Sequence, residues 1–313
     1  MKLAASKSTW TALALLGVLV IAISIKQPSF WSADNLLNIT RQMSLNAIIA
    51  AGMTLVILTG GIDLSVGSIL ASVGIVTALA LKAGLPVALA APCGILLGAA
   101  LGSVNGVLIA FGRLPPFVVT LAMMAVARSL TRVVTDNKSI YHLPDGLSLL
   151  SDTLAFPLLG LRVPIPFLLT GLVYGLGYVL LVHYPLGRYI YAVGGNAEAA
   201  RISGVPISRV LVSVYALCGA LSGFAGVVAI SRLAAADPTS GVMMELDAIA
   251  AVVIGGASLV GGRGHILGSI AGVITMAVLH NVMTLLDINP DWQGTVVGVV
   301  ILGAVLANKR RTA

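Results

Sequence analysis

The polar side chains with the most regular spacing in this chain are Asn38, Gln42 and Asn46, which stand four residues apart in an apolar segment. On an α-helix this spacing places all three on one face. Amide groups on one face can hydrogen-bond a neutral polar solute, or they can hold two helices together. Since lipid cannot hydrogen-bond them, such groups are functional candidates at membrane depth. The stripe therefore predicts either a polar pathway or a helix–helix contact.

Two further polar patches can likewise be interpreted either as part of a pathway or as structural. Arg128 begins a polar face in another apolar segment, which predicts a pathway mouth or side chains that reach the membrane surface. Asn281 lies beside His280, and a histidine there is more often a hydrogen-bonded structural residue than a proton carrier. The candidate pathway residues are therefore Asn38, Gln42, Asn46, Arg128 and Asn281.

A glycine-rich break at residues 60–65 separates two apolar segments. Asp63 can cap the helix that follows and complement its dipole. The alternative is a gate or a partner contact at the inner face of the membrane. Glu245 and Asp247, at the start of a later apolar segment, admit the same capping explanation. The residues of interest in this inner-face break are Gly61, Asp63 and Ser65.

Residues 197–203 have the pattern of a short surface helix. Asn196 is a good N-cap, and Glu198 puts negative charge in the first turn, where the helix dipole favours it. Gly204 fits the position just past the last turn, and a proline follows. A helix of this length is not stable alone in water. Either its own protein or a groove on another protein must hold it.

The composition defines the elements that carry these residues. Hydrophobic residues make up 58% of the chain and charged residues 9%, against about 25% charged in a soluble domain. The lipid bilayer is therefore the solvent, and apolar segments of about 17 to 25 residues predict spanning helices. We predict an all-α polytopic membrane protein, a single domain over residues 1–313. The predicted spans, about ten, are 9–25, 36–58, 66–82, 86–111, 116–135, 165–183, 208–231, 246–260, 266–286 and 292–307.

Loop charge predicts the orientation. With the N-terminus in the cytoplasm, ten spans return the C-terminus to the cytoplasm, and basic residues such as Lys2, Arg310 and Arg311 fall inside. The loop at about 184–210 is then cytoplasmic, and the loop at about 137–164 is periplasmic. The net charge of +7 indicates contact with anionic lipid at the inner leaflet. No basic surface interleaved with aromatic residues predicts nucleic-acid binding.

Motifs of common enzymes are absent from the sequence. It has no G-x-x-x-x-G-K-S/T loop for ATP phosphates and no G-x-S-x-G nucleophile elbow. Its four histidines and two cysteines are too few and too scattered for a zinc site. The sequence also carries a weak internal echo between residues 56–76 and 252–274, each a span end, a glycine-rich break and a span start. The echo is compatible with a structural repeat or with chance in a glycine-rich chain.

Three blocks of the sequence carry a family resemblance. Glu198-Ala199-Ala200 followed by Gly204 matches the E-A-A-x-x-x-G loop of ABC importer permeases. Its surroundings, GRYIYAVGGNAEAARISGV, are similar to the ribose-type sugar permeases, as are NAIIAAGMTLVILTGGIDLSVGS and MELDAIAAVVIGGASLVGGRG. The resemblance runs from about Phe30 to Arg310. Two parts depart from it: Val205-Pro206-Ile207 replaces the distal end of the general importer loop, and the segment 137–164 matches least.

The resemblance implies a permease subunit of an ATP-driven sugar importer in the bacterial inner membrane. It implies an ABC ATPase partner that docks on the loop helix, a periplasmic sugar-binding protein, and a second permease copy, identical or related. ATP and Mg would belong to the ATPase, and no cofactor to this chain. The coupling-loop residues would be Asn196, Glu198, Ala199, Ala200 and Gly204.

The rival hypothesis is an ion-coupled secondary transporter of a small polar solute. That class usually needs protonatable groups or an ion cage at the membrane midplane. The sequence places no acidic residue well inside a predicted span, which counts against it.

Overall fold

The computed structural model describes residues 7–156, 161–289 and 291–309, and helices dominate them, as predicted. The described residues do not include Lys2, Arg310 and Arg311, whose charges are predicted to lie on the cytoplasmic side. The α-helices, in chain order, are α1 (Lys7–Lys26), α2 (Ala33–Leu58), α3 (Val66–Lys82), α4 (Val87–Ala110), α5 (Pro116–Val134), α6 (Ile165–His183), α7 (Pro185–Gly195), α8 (Ala197–Ile202), α9 (Ile207–Leu233), α10 (Met244–Ile254), α11 (Ile266–Leu285) and α12 (Asp291–Lys309).

Within the described residues, six helices are long and apolar enough to cross a membrane: α2, α4, α5, α6, α9 and α11. Helix α3 is apolar but has only 17 residues. The chain is therefore a multi-pass helical membrane protein. The total of ten crossings and the side on which each terminus lies stay predictions.

The predicted span 246–260 is wrong in extent. Helix α10 has 11 residues and is about 16 Å long, roughly half the hydrocarbon core of a bilayer. It ends at a glycine pair, where Gly256 has a φ of +99° and its N–H donates to the Val253 carbonyl at 3.0 Å. Hydropathy extends the segment because the loop residues that follow are still apolar, while the left-handed glycine terminates the helix.

Helix α9 is the centre of the bundle, and α4 packs along it through glycines. A Cβ atom at Gly98 would lie 2.5 Å from the carbonyl oxygen of Gly219, and one at Gly102 would overlap the carbonyl oxygen of Tyr215. Glycines four residues apart therefore let the two backbones touch, as small residues do between membrane helices.

The two ends of α9 carry different structures. It has 27 residues and is about 40 Å long. Helix α8 precedes it in the chain and lies at its N-terminal end. At the far end of α9, β4 (Ala235–Ala236) pairs antiparallel with β1 (Ile140–Tyr141), and the Ser231 hydroxyl donates to the Leu147 carbonyl at 2.6 Å. The described parts of the segment 137–164, residues 137–156 and 161–164, therefore lie at the opposite end of the bundle from α8. They include the antiparallel pair β2 (Thr153–Phe156) and β3 (Leu161–Pro164).

Candidate functional site

Helix α8 has the predicted N-terminal cap and C-terminal stop. The Asn196 side-chain oxygen accepts a hydrogen bond from the Ala199 N–H at 2.9 Å. Gly204 has a φ of +80°, and its N–H donates to the Arg201 carbonyl at 3.0 Å. The helix ends at Ile202, one residue earlier than predicted, with Ser203 as its C-cap. Local residue types therefore determine this element, as the N-cap and glycine preferences require.

One face of α8 is held by its own protein and the rest is open. Ala200 is buried, whereas Ile202 is 76% exposed. Arg201 Nε donates to Glu198 Oε2 at 3.0 Å, and this bond lowers the pKa of the Glu198 carboxyl. Both charged side chains are about two-thirds exposed, so α8 presents a polar, solvated surface with one apolar side chain at its end.

The end of α7, just before α8, takes part in a contact between three backbone segments, which we call the inner junction: residues 58–60, 194–195 and 261–262. The Gly262 N–H donates to the Leu58 carbonyl at 2.9 Å. A Cβ atom at Gly194 would overlap that same carbonyl oxygen. The ends of α2 and α7 and the loop after α10 are therefore packed together without intervening side chains. The two glycine-rich breaks of the sequence echo meet here.

The break at residues 60–65 does not stay at the surface. Asp63 is fully buried, and its Oδ1 accepts from the Ser65 N–H at 2.9 Å and the Ser65 hydroxyl at 2.6 Å. Asn105 Nδ2 donates to the Ser65 hydroxyl at 2.9 Å, and a Cβ atom at Gly61 would overlap the Tyr215 hydroxyl. The N-cap of α3 is Ser65, so Asp63 holds the turn before the helix through Ser65 rather than capping the helix itself. Because its carboxyl is buried, it presents no surface to another protein in this conformation.

A cavity of about 570 Å³ lies among α2, α9, α10, α11 and α12. Gln42 and Asn46 of the predicted stripe line it, together with Asp247 and His280. Nε2 of His280 lies 3.1 Å from Oδ1 of Asp247. The volume falls in the range of small-molecule sites, about 300–1,000 Å³. Amides, a carboxylate and an imidazole can together donate to and accept from a polyhydroxylated solute.

The other three candidate pathway residues do not line this cavity. Asn38 is exposed. Arg128 Nη1 donates to the carbonyls of Pro238 and Ser240, both at 2.7 Å, so it holds the segment that forms the cavity rim. Asn281 exchanges hydrogen bonds with Asn35 at 2.7 and 3.1 Å, which ties α11 to α2. The helix–helix alternative therefore fits Asn281.

Sequence reasoning missed Asp247 as a cavity residue and assigned it to helix capping. Its partner His280 lies 33 residues away, and no local spacing connects the two. Asp247 stands in the first turn of α10, where helix capping and the helix dipole already explain an acidic residue, so the sequence offered no separate signal for the cavity.

Comparison with known proteins identifies the family. The family model described as "Branched-chain amino acid transport system / permease component" matches residues 35–305. The chain belongs to this permease family. It is 44% identical to the ribose import permease protein RbsC of Haemophilus influenzae, over 93% of this chain and 90% of that protein. No solved structure matches the chain.

Two further relatives of this permease have informative names. The ribose import permease protein RbsC of Bacillus subtilis is 46% identical over 95% of this chain and 91% of that protein. A probable ABC transporter permease protein of Sinorhizobium fredii, y4mJ, is 41% identical over 96% of this chain and 89% of that protein. The comparisons therefore support a transport subunit of the ABC class over the ion-coupled alternative.

Proposed function

We propose that this permease is the membrane subunit of an ATP-driven importer of ribose or a related small sugar. The supporting observation is the identity of 44% and 46% to two ribose import permeases across more than nine-tenths of the chain. The cavity beside Gln42, Asn46, Asp247 and His280 supports it further, because it offers several hydrogen-bonding groups to sugar hydroxyls.

The proposed assembly has an ABC ATPase on the cytoplasmic side, docked on α8 through the face that contains Glu198 and Ala199. ATP and Mg belong to that ATPase, since this chain has no phosphate-binding loop. A periplasmic sugar-binding protein contacts the opposite end, at residues 137–164. A second permease copy completes the membrane part in the bacterial inner membrane, with the termini of this chain in the cytoplasm.

The substrate is tested by competition. We expect membranes that hold the full assembly to take up labelled ribose, and unlabelled ribose to compete with it. Leucine, chosen because the family description names branched-chain amino acids, should not compete. Saturable leucine uptake without ribose uptake would overturn the substrate assignment while leaving the transporter class in place.

Cysteine labelling tests the orientation. We expect a cysteine at Ala197 to react with a membrane-impermeant reagent only from the cytoplasmic side, and one at Asp145 only from the periplasmic side. Both residues are exposed, and they lie at opposite ends of the bundle. The native exposed Cys93 is replaced by Ser in both variants. Labelling of both positions from one side would contradict the proposed orientation.

Removing the Asp247 carboxylate from the cavity should reduce transport. We expect Asp247→Ala to lower sugar uptake about 10-fold or more, because a hydrogen bond to a charged group contributes about 1.5–3 kcal/mol and His280 loses its partner. Asn38→Ala, an exposed polar residue outside the cavity, is the control and should transport normally. Uptake is measured at matched membrane levels. Uptake by Asp247→Ala at the wild-type rate would remove the cavity from the pathway.

A further inference from the structure

Val260 is 86% exposed, which is more than any other large apolar side chain whose exposure the structure describes. It stands at the tip of the loop at residues 255–265, between α10 and α11. Isolated exposed apolar residues are common on proteins. Val260 differs from these in two respects, its position in the molecule and the rigidity of the loop that carries it.

The loop belongs to the same end of the molecule as α8. A Cβ atom at Gly261 would lie 2.7 Å from the backbone nitrogen of Gly60 and 2.9 Å from the carbonyl oxygen of Gly194. Helix α8 begins three residues after Gly194, and its exposed ion pair marks this end as solvated. Val260 therefore stands at the same end of the molecule as the exposed ion pair of α8.

Hydrogen bonds hold the loop in one shape. The Ser258 N–H donates to the Arg263 carbonyl and the Gly261 N–H to the Ser258 carbonyl, both at 2.9 Å. The Tyr191 hydroxyl donates to the Gly264 carbonyl at 3.0 Å, which fastens the loop to α7. A preorganised loop loses little conformational entropy when a partner covers it, so Val260 is suited to enter an apolar recess.

We infer that the Val260 loop is a second docking point for the ATPase, beside α8. The inference rests on the proposed function, and continuity with the α8 surface argues for it: the loop and α7 share the inner junction, and Ile202 gives α8 an apolar tip of its own. Arg209 and Arg263, both exposed, add positive charge at this end. The matching ATPase surface is an apolar recess rimmed by acidic groups.

The two docking points, α8 and the Val260 loop, are connected to two of the helices that line the cavity, α2 and α10. The α8 surface connects through α7 and the inner junction to the end of α2, which contributes Gln42 and Asn46. The Val260 loop directly follows α10, which contributes Asp247. A partner that grips both points therefore holds the inner junction from two sides and acts on the ends of α2 and α10 together, whereas one contact on α8 acts on α10 only through that junction.

The test is co-purification of the permease with its ATPase in detergent. We expect Val260→Asp to reduce the retained ATPase at least tenfold, while Val260→Ile retains it. Leu149→Asp is the control, since Leu149 is 64% exposed at the opposite end, and it should retain the ATPase. Because the Val260 side chain has few neighbours, membrane levels of all variants should match the wild type. Full ATPase retention by Val260→Asp would overturn the inference.

Cross-linking of Val260→Cys, with Cys93 replaced by Ser, identifies the occupant. A cross-link to the ATPase supports the inference, whereas a permease–permease cross-link or labelling by a lipid-soluble reagent overturns it. Ala199→Trp separates this inference from the proposed function. If Ala199→Trp loses the ATPase and Val260→Asp keeps it, only the second docking point fails. If the wild-type chain retains no ATPase, the proposed function fails as well.

Discussion

Ala199→Trp is expected to abolish sugar uptake while the permease inserts and accumulates normally. Ala199 is exposed on α8, and it supports the helix through backbone groups alone: its N–H bonds the Asn196 side chain, and its carbonyl accepts from the Ser203 N–H at 3.0 Å. An indole ring there leaves the cap in place but separates the docking surfaces by its bulk. Uptake and retained ATPase are both compared at equal membrane levels, and Leu149→Trp at the opposite end is the control for ATPase retention.

Two further changes in the same element should complete a graded series, in which Gly204→Val also loses uptake and Asn196→Ala is milder. Gly204→Val places a β-branched residue at a φ of +80°, a left-handed conformation that costs about 1–2 kcal/mol. Asn196→Ala removes the cap, which contributes about 1 kcal/mol, and should reduce uptake less than Ala199→Trp. If both Ala199→Trp and Gly204→Val assemble with the ATPase and transport at the wild-type rate, α8 is not the coupling element.

Gly194→Ala is expected to destabilise the whole protein, whereas Gly195→Ala should be tolerated. A Cβ atom at Gly194 would overlap the Leu58 carbonyl oxygen and lie 2.5 Å from the Gly262 nitrogen, and backbone atoms cannot rotate away. Overpacking typically costs about 1–3 kcal/mol, occasionally more, and this site should lie at the upper end. Nothing lies within 4 Å of a Cβ atom at Gly195.

The measurement is thermal unfolding of each purified variant in detergent, together with its membrane level. A lower melting temperature for Gly194→Ala, with Gly195→Ala at or above the wild type, would establish the inner junction as a packed contact. Equal melting temperatures would show that the three backbone segments do not pack as described.

Local residue chemistry predicted α8 well. Its cap, its first-turn acid and its left-handed stop all depend on neighbouring residues, so Asn196 and Gly204 could be assigned from the sequence alone. Hydropathy was less reliable for α10, because the apolar loop that follows Gly256 has the composition of a helix but not its backbone conformation. Hydropathy averaged over a window of residues does not detect a single glycine in the left-handed conformation.

The cavity could be predicted only in part, because it depends on pairings between distant residues. The stripe on α2 was visible as a helical period, but which of its members face a cavity is decided by the helices around it. Asp247 with His280 and Asn35 with Asn281 are separated by 33 and 246 residues. Tertiary packing, rather than spacing, decides that the first pair lines the cavity and the second joins two helices.

Reconstitution into liposomes tests the central proposal, ATP-driven sugar import, most directly. The permease is inserted with its ATPase, the sugar-binding protein and labelled ribose are supplied on the outer side, and uptake is followed with ATP enclosed, with no ATP, and with an imposed ion gradient. The account predicts ribose uptake that requires both ATP and the ATPase. Ribose uptake driven by an ion gradient in liposomes that contain no ATPase would contradict it.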